Sequence, residues 1–271
     1  MVKVISSSQN RGFATGHNLG VAEASGTYIL LLNNDTWLEE HFLECLLENF
    51  LHSGVHVIAP FEAAYDEQPL PRYVRTVDLL GHPLNVRIQG AGDANNHPKN
   101  FYLPGVCLLT RRRFYEETGG LDGDFFMYFE ETDWCWRLHL QGYRLGYADL
   151  DVHHAGATVV GIKYQAFLWR NQNALQMLLK NYQARSLAWV IPLYLLQNLA
   201  EMAYFLLTFR PKIVATYPLG WWFNLRYLRR TLAKRREIQQ HRQVSDAAIR
   251  QKMYIGFGKL QHLRNYGRGD G

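Results

Sequence analysis

The 271-residue sequence predicts an α/β fold whose mixed, mainly parallel sheet occupies the first part and whose remainder is helical. Three observations carry this. Short apolar runs alternate with amphipathic stretches up to about residue 155, the rhythm of βα units. Tyr28-Ile-Leu-Leu-Leu32 shows no polar alternation and reads as a strand buried on both faces. From about 162 onward the pattern is helical throughout, and there the charge balance switches sign. Residues 1–160 carry 11 basic and 20 acidic side chains, residues 161–271 carry 18 and 4, so a formal +5 hides net charges of −9 and +14. The expected domains are accordingly 1–160 and 161–271. With 48% hydrophobic and 20% charged residues, a disordered or fibrous chain is excluded. Cys45, Cys107 and Cys135 are odd in number and lie far apart, which argues against a disulfide framework or a zinc site and fits a reducing compartment. Met1–Val4 lacks the apolar core of a signal peptide.

Taken in order, Asn10-Arg-Gly-Phe-Ala-Thr-Gly-His-Asn-Leu-Gly20 precedes a short helix. Its glycines allow backbone close to a ligand, although the spacing matches neither G-x-G-x-x-G nor a P-loop. The strand 28–32 ends in Asn33-Asn34-Asp35, and Thr36 with Glu39 resembles a capping box for a helix carrying Leu38, Phe42, Leu46 and Phe50. Val55–Ala59 reads as the next strand, 61–100 as a turn-rich insertion, and Cys107–Leu109 as a strand before a basic helix that Gly119-Gly120 stops. Glu130–Gln141 reads as a helix ended by Gly142, and Leu145–Ala148 as a last strand before His153-His154.

Polar residues beyond the carboxyl end of a buried strand stand where open α/β sheets bind ligands. Asp35 with the Asn33 and Asn34 amides offers oxygen ligands for a hard divalent cation, or it simply caps the next helix. In Gly119–Arg137, Asp122, Asp124, Glu130 and Glu131 flank an aromatic block. On a helix Glu131 shares a face with Trp134, Cys135 and Leu138, where desolvation suits a general base; Asp133 and Arg137 form an i,i+4 pair. A solvated acidic helix start is the plainer alternative. His153 can complete the coordination of an ion held by Asp35, or it is an ordinary histidine of a His pair.

Together these segments resemble the family 2 glycosyltransferases of GT-A fold, specifically the bacterial rhamnosyltransferase-like branch. The blocks are N-x-G-F-x-x-G-x-N-x-G at 10–20, L-N-N-D-T at 32–36, P-G-x-C-L-L-x-R-R at 104–112, G-G-L-D-x-x-F-F-M-Y-F-E-E-x-D-x-C-x-R at 119–137 and H-x-x-G-x-T at 153–158, followed by R-N-x-N-A-L at 170–175. The resemblance implies a GT-A-like, Rossmann-like domain and inverting transfer of a sugar, rhamnose for that branch, from a dTDP- or UDP-sugar to a lipid-linked or polysaccharide acceptor. It makes Asp35 and His153 ligands of Mg2+ or Mn2+ and Glu131 the catalytic base. Candidate substrate contacts are Asn10, Gly12, Phe13, Asn18, Asn33, Asn34, Gly105, Asp122, Glu130, Asp133 and Arg137. Family members open with V-V-I-V-x-Y-N and V-D-N-x-S-x-D segments that are absent here, so the sequence reads as lacking the N-terminal nucleotide-binding strands, with Val2–Ile5 as the third strand. A non-catalytic remnant or accessory subunit is the alternative reading.

Ser186–Phe209 is apolar and long enough to span a bilayer, but Gln197, Asn198 and Glu201 fall near its centre and Pro192 breaks its first part. A central carboxylate costs about 2.5–3.5 kcal/mol on insertion scales, which favours a segment lying at the surface. Trp221-Trp222-Phe223 beside Arg226, Arg229, Arg230, Lys234, Arg235 and Arg236 points to an anionic membrane surface, on the cytoplasmic face of the plasma membrane in a peripheral or monotopic mode. No signature of nucleic-acid recognition accompanies these basic residues.

Overall fold

The structure is a computed structural model and describes residues 2–64, 71–155, 164–256 and 258–259. Its strands are β1 (Tyr28–Leu32), β2 (Thr36–Trp37), β3 (Val57–Ala64), β4 (Tyr73–Val77), β5 (Pro83–Arg87), β6 (Cys107–Arg111) and β7 (Leu145–His154). The helices are α1 (Gly12–Glu23), α2 (Phe42–Ser53), α3 (Ala91–Asn96), α4 (Arg112–Glu117), α5 (Glu130–Leu140), α6 (Tyr164–Asn181), α7 (Ala184–Leu207), α8 (Pro211–Val214), α9 (Thr216–Arg226), α10 (Leu228–Gln240) and α11 (Asp246–Gln251).

Five strands form one sheet in the order β1-β6-β3-β7-β2, and β4-β5 form a separate hairpin. The sheet is mixed α/β as the sequence predicts, but the parallel share is narrower than expected. Among the described strands only β3–β7 runs parallel, while β1–β6, β3–β6 and β2–β7 are antiparallel. The β3–β7 register shifts between Ala59 and Phe61, because Pro60 between them has no N–H to give the ladder. β1 is paired with β6 alone, so it is an edge strand and its side chains alternate between buried and half-buried. The predicted third strand at Val2–Ile5 does not form; no described strand pairs with it, and Val2 and Val4 stand 89% and 82% exposed.

Local chemistry explains other departures. Thr36 is no helix cap: its hydroxyl donates to the Asn33 carbonyl at 2.7 Å and its backbone joins β7 as β2. The helix starts only at Phe42, after His41 in a left-handed conformation. The turn-rich insertion holds β4, β5 and α3 among its described residues. Gly119 and Gly120, at φ +71° and +60°, end α4 as expected, and Gly142 follows α5 at +81°.

The helical region packs onto the sheet region rather than standing apart. One core joins Ile29, Leu31 and Trp134 to Leu178, Tyr182, Tyr194 and Met253. The predicted boundary near 160 falls outside the described residues. α7 runs unbroken through Pro192, contrary to expectation. The carbonyl deprived of its partner is that of exposed Ala188, on the face away from the core, while the opposite stripe Ser186, Val190, Tyr194, Asn198, Glu201 and Phe205 is buried.

A buried ionic node ties the two regions together. Lys180 of α6 is paired with Asp122 and stands 3.0 Å from Asp133, which also meets Arg137 at 3.0 Å and Asn181 at 2.8 Å. Burial alone would raise the Asp122 pKa, but Lys180 and Lys234 outweigh it and hold that carboxyl well below the ordinary range. Its stabilising contribution is therefore full above about pH 4–5 and falls away as acid protonates it. Lys180→Met leaves two buried carboxylates short of a cation and should cost about 3–5 kcal/mol in urea unfolding; a loss under 1 kcal/mol would mean the node contributes little.

Candidate active site

The site is built on the turn that precedes α5. Tyr128 and Phe129 both sit in the left-handed region, at φ +74° and +73°, a conformation that costs of order 1–3 kcal/mol per bulky residue and needs its surroundings to hold it. Three elements do so. α1 docks through Gly12, whose φ of +79° and whose position 2.2 Å (hypothetical Cβ) from the Phe126 carbonyl oxygen allow no side chain, and the Phe13 N–H donates to that oxygen at 2.8 Å. Asn18 donates to the Leu121 carbonyl at 2.7 Å and accepts from the Tyr115 hydroxyl at 2.5 Å. α6 meets the turn with Asn173, Gln176 and Lys180, spaced to fall on one helix face. Asn173 donates to the Met127 and Tyr128 carbonyls at 2.9 and 2.8 Å, and α10 brings Lys234 to Asp122 and Asp124.

The turn delivers Glu130 and Glu131 to the start of α5. Glu131 lines a cavity of about 400 Å³ together with Arg75, Tyr102, Tyr128, Arg170 and Glu201. Gly105 lies beneath it, with Glu131 Cβ and Cγ 3.5 Å from where a Cβ would stand, so a branched side chain at 105 would displace the carboxylate. The Asn33 N–H donates to the Val106 carbonyl at 2.9 Å, which joins the end of β1 to this same loop. Burial raises the Glu131 pKa, opposed by backbone N–H groups at the helix start and by Arg75, whose guanidinium is paired with Glu62. Glu130 is raised well above its ordinary value, by burial and then by the charge of Glu131, and its Oε2 is buried without a hydrogen-bond partner among the described residues. Burial and their mutual repulsion thus raise the proton affinity of both adjacent acids, Glu130 further than Glu131.

At the end of β1, Asp35 Oδ1 lies 3.2 Å from Nε2 of His154. The β2–β7 register sets this, pairing Thr36 with His154 and Trp37 with His153. His153 instead packs on the Trp37 ring at 4.8 Å and approaches Glu39 at 3.5 Å. Asn33 Oδ1 is buried with no hydrogen-bond partner among the described residues, and Asn34 is exposed. Among the described residues no group of three or more His, Cys, Asp or Glu side chains gathers as a metal cluster. An orphaned amide oxygen beside a part-exposed carboxylate and an imidazole nonetheless suits a cation that takes further oxygens from a diphosphate.

The structure therefore brings Glu131, Gly105 and the 33–35 turn into one neighbourhood. It engages Asn10, Gly12, Phe13 and Asn18 in holding the 119–129 turn, with Asn10 Oδ1 accepting from the Gly12 N–H at 2.9 Å. Asp122, Asp133 and Arg137 are buried in the ionic node, Arg137 also donating to the Thr118 and Gly120 carbonyls. His154, Asn173, Lys180 and Arg75 are what sequence reasoning missed. The block at 170–175 already contained Asn173, and Lys180 was visible as a lone cation in the apolar run Met177-Leu-Leu-Lys180. The Gly156 and Thr158 of the final block lie outside the described residues.

The comparisons agree with the fold. The α/β sheet with its acidic α5 start is a GT-A-type glycosyltransferase fold: the crystal structure of GalNAc-T7 with UDP, GalNAc and Mn2+ superposes with a TM-score of 0.50 at 11% identity, covering 66% of this chain and 36% of that one. The family model for glycosyl transferase family 2 matches residues 1–119. Pre-mycofactocin glycosyltransferase of Mycobacterium tuberculosis is 27% identical over 54% of this chain and 30% of its own length. Poly-beta-1,6-N-acetyl-D-glucosamine synthase of Staphylococcus aureus is 26% identical over 69% of this chain and 45% of its own length. The chain thus spans less than half of either relative.

The two acids generate a direct test. In carboxyl-detected NMR titrations Glu130 and Glu131 should both titrate above 4.5, Glu130 last. Glu131→Gln removes a like charge and should lower the Glu130 transition, whereas an unchanged Glu130 would show that the two do not interact.

Proposed function

We propose that this chain transfers a sugar from a nucleotide-sugar to the hydroxyl of a glycan or lipid-linked acceptor, by inversion, at a membrane surface. The observation that carries the reading is Glu131: a part-buried carboxylate of raised proton affinity, lining a cavity large enough for a sugar and joined through Gly105 and Val106 to the Asp35 turn. Its Oε accepts the proton of the acceptor hydroxyl, the oxygen attacks the anomeric carbon from the face opposite the leaving group, and the C–O bond to the nucleoside diphosphate breaks. Only one carboxylate base is required, in contrast to the acid and base pair of a glycoside hydrolase.

Asp35, the Asn33 amide oxygen and an imidazole of the His153-His154 pair would hold Mg2+ or Mn2+, with His154 the nearer to Asp35. Such a cation supplies charge to balance the departing diphosphate. GalNAc-T7, whose structure contains UDP and Mn2+, supports this assignment only through a shared fold. A dTDP- or UDP-sugar donor and rhamnose follow from the sequence resemblance.

The membrane-surface part rests on α7, a 24-residue helix whose most apolar 18-residue stretch has a mean hydropathy of 1.4 and whose central Asn198 and Glu201 are buried. Gln197 donates to Glu201 at 2.8 Å, and Glu201 accepts from the Tyr217 hydroxyl at 2.6 Å. Leu193, Leu196, Leu199, Leu206 and Leu207 face outward, as do Trp222 and Leu225 of α9. An apolar surface of this kind suits the headgroup boundary on the cytoplasmic side.

Glu131→Gln should lower kcat by about 10²–10⁴-fold with cation-dependent nucleotide-sugar binding retained; a variant with full transfer activity would end the assignment. The base must be ionised, so kcat/KM should fall as pH drops through its raised pKa, placing the acid limb above 4.5. Asp35→Asn and His154→Ala should weaken Mn2+-dependent donor binding, read by calorimetry, about tenfold or more and His153→Ala less. Equal effects of the two histidines would remove the distinction between them.

A further inference from the structure

The cavity that holds Glu131 opens beside cations that the transfer step does not use. Arg170, Arg210 and Lys259 line it. Lys259 is engaged, 2.8 Å from Glu201 and near the Tyr217 ring. Arg170 lies 4.5 Å from the centre of the Tyr128 ring, and Arg210 stands exposed just past α7; neither pairs with a carboxylate among the described residues. The same end of α7 lends the cavity Tyr204 and Phe205. Immediately beside them in the chain, Leu207 and Phe209 are 80% and 91% exposed. From the inside outward the order is therefore carboxylate, unpaired guanidinium groups, apolar ridge.

We infer that Arg170 and Arg210 form a subsite for the phosphate of an acceptor whose sugar is joined through a phosphate or diphosphate ester to a long hydrocarbon chain, and that the chain leaves over Leu206, Leu207 and Phe209. The inference rests on the reading of this cavity as the acceptor side. A neutral polysaccharide gives unpaired guanidinium groups nothing to bind, whereas their planar forks match phosphate oxygens in pairs. The stacking of Arg170 on Tyr128 fixes one fork and places it on the turn that carries Glu131. Arg210 sits next to the most exposed aromatic side chain of α7's end, so the headgroup and the first part of the chain are read within one turn. The occupant is thus an amphiphile held at its charged joint, with its hydroxyl end directed at the base.

Farnesyl diphosphate, inorganic pyrophosphate and farnesol are suitable probes for calorimetric binding to the full chain. Farnesyl diphosphate should bind the wild type, and Arg170→Gln with Arg210→Gln should weaken it at least tenfold, about one charge-assisted hydrogen bond or more. Farnesol should bind more weakly and be indifferent to the two substitutions. Equal binding of farnesyl diphosphate by wild type and double variant would overturn the subsite, and pyrophosphate binding as tight as the ester would make it a site for free phosphate. The double variant should keep its melting temperature and its Mn2+-dependent nucleotide-sugar binding. Those two readouts separate a lost subsite from a lost fold, and absence of nucleotide-sugar binding in the wild type would count against the transferase reading and leave the ester result standing.

Discussion

Everything at the site depends on one buried cation. The Lys180 ammonium sits between Asp122 and Asp133, at the point where α6, the 119–129 turn and α5 meet. Taking three charges out of water is unfavourable unless geometry and hydrogen bonds offset it. Here they do, because Asn181 and Arg137 satisfy Asp133 and Lys234 satisfies Asp122 from the other side. The result is a turn clamped from several directions. Only such a clamp lets Tyr128 and Phe129 hold left-handed backbone in succession, and that twist is what aims Glu131 into the cavity.

Polar residues that look alike in the sequence therefore separate into two kinds. Asp122, Asp124 and Asp133 have cations within reach and act as structural anchors. Glu130 and Glu131 follow a few residues later without a cation in direct contact, so burial raises their proton affinity. The distinction between paired aspartates and the two glutamates is set by α6 and α10, which lie more than 30 residues further along the chain. The family model matches residues 1–119, and the helical region beyond it supplies Lys180 and Lys234 to the Asp122 carboxylate.

What was legible in the sequence follows the range of the forces involved. β1, β6, α5 and the glycines that end helices are local matters of hydrophobic period and φ, and they stand where the pattern places them. Thr36 was misread because a capping box and a short strand look the same until β7 offers a partner. Which of His153 and His154 meets Asp35 is a question of strand register, invisible without the β2–β7 pairing. The 10–20 block had the right glycine for the wrong reason: Gly12 is required by the Phe126 carbonyl, a contact more than 100 residues distant. The face of α5 that Glu131 shares with Trp134, Cys135 and Leu138 could be read from spacing alone.

The basic half of the chain presents less charge to its surroundings than its composition suggests. Lys180, Lys234, Arg230 and Arg242 are neutralised by aspartates, and Arg235 is folded onto the Leu179 and Tyr182 carbonyls. In the proposed membrane-surface reading, adhesion to a bilayer would draw mainly on the outward leucines and Trp222. A salt wash, which screens only exposed charge, should leave such a protein on the bilayer, and detergent should be what releases it.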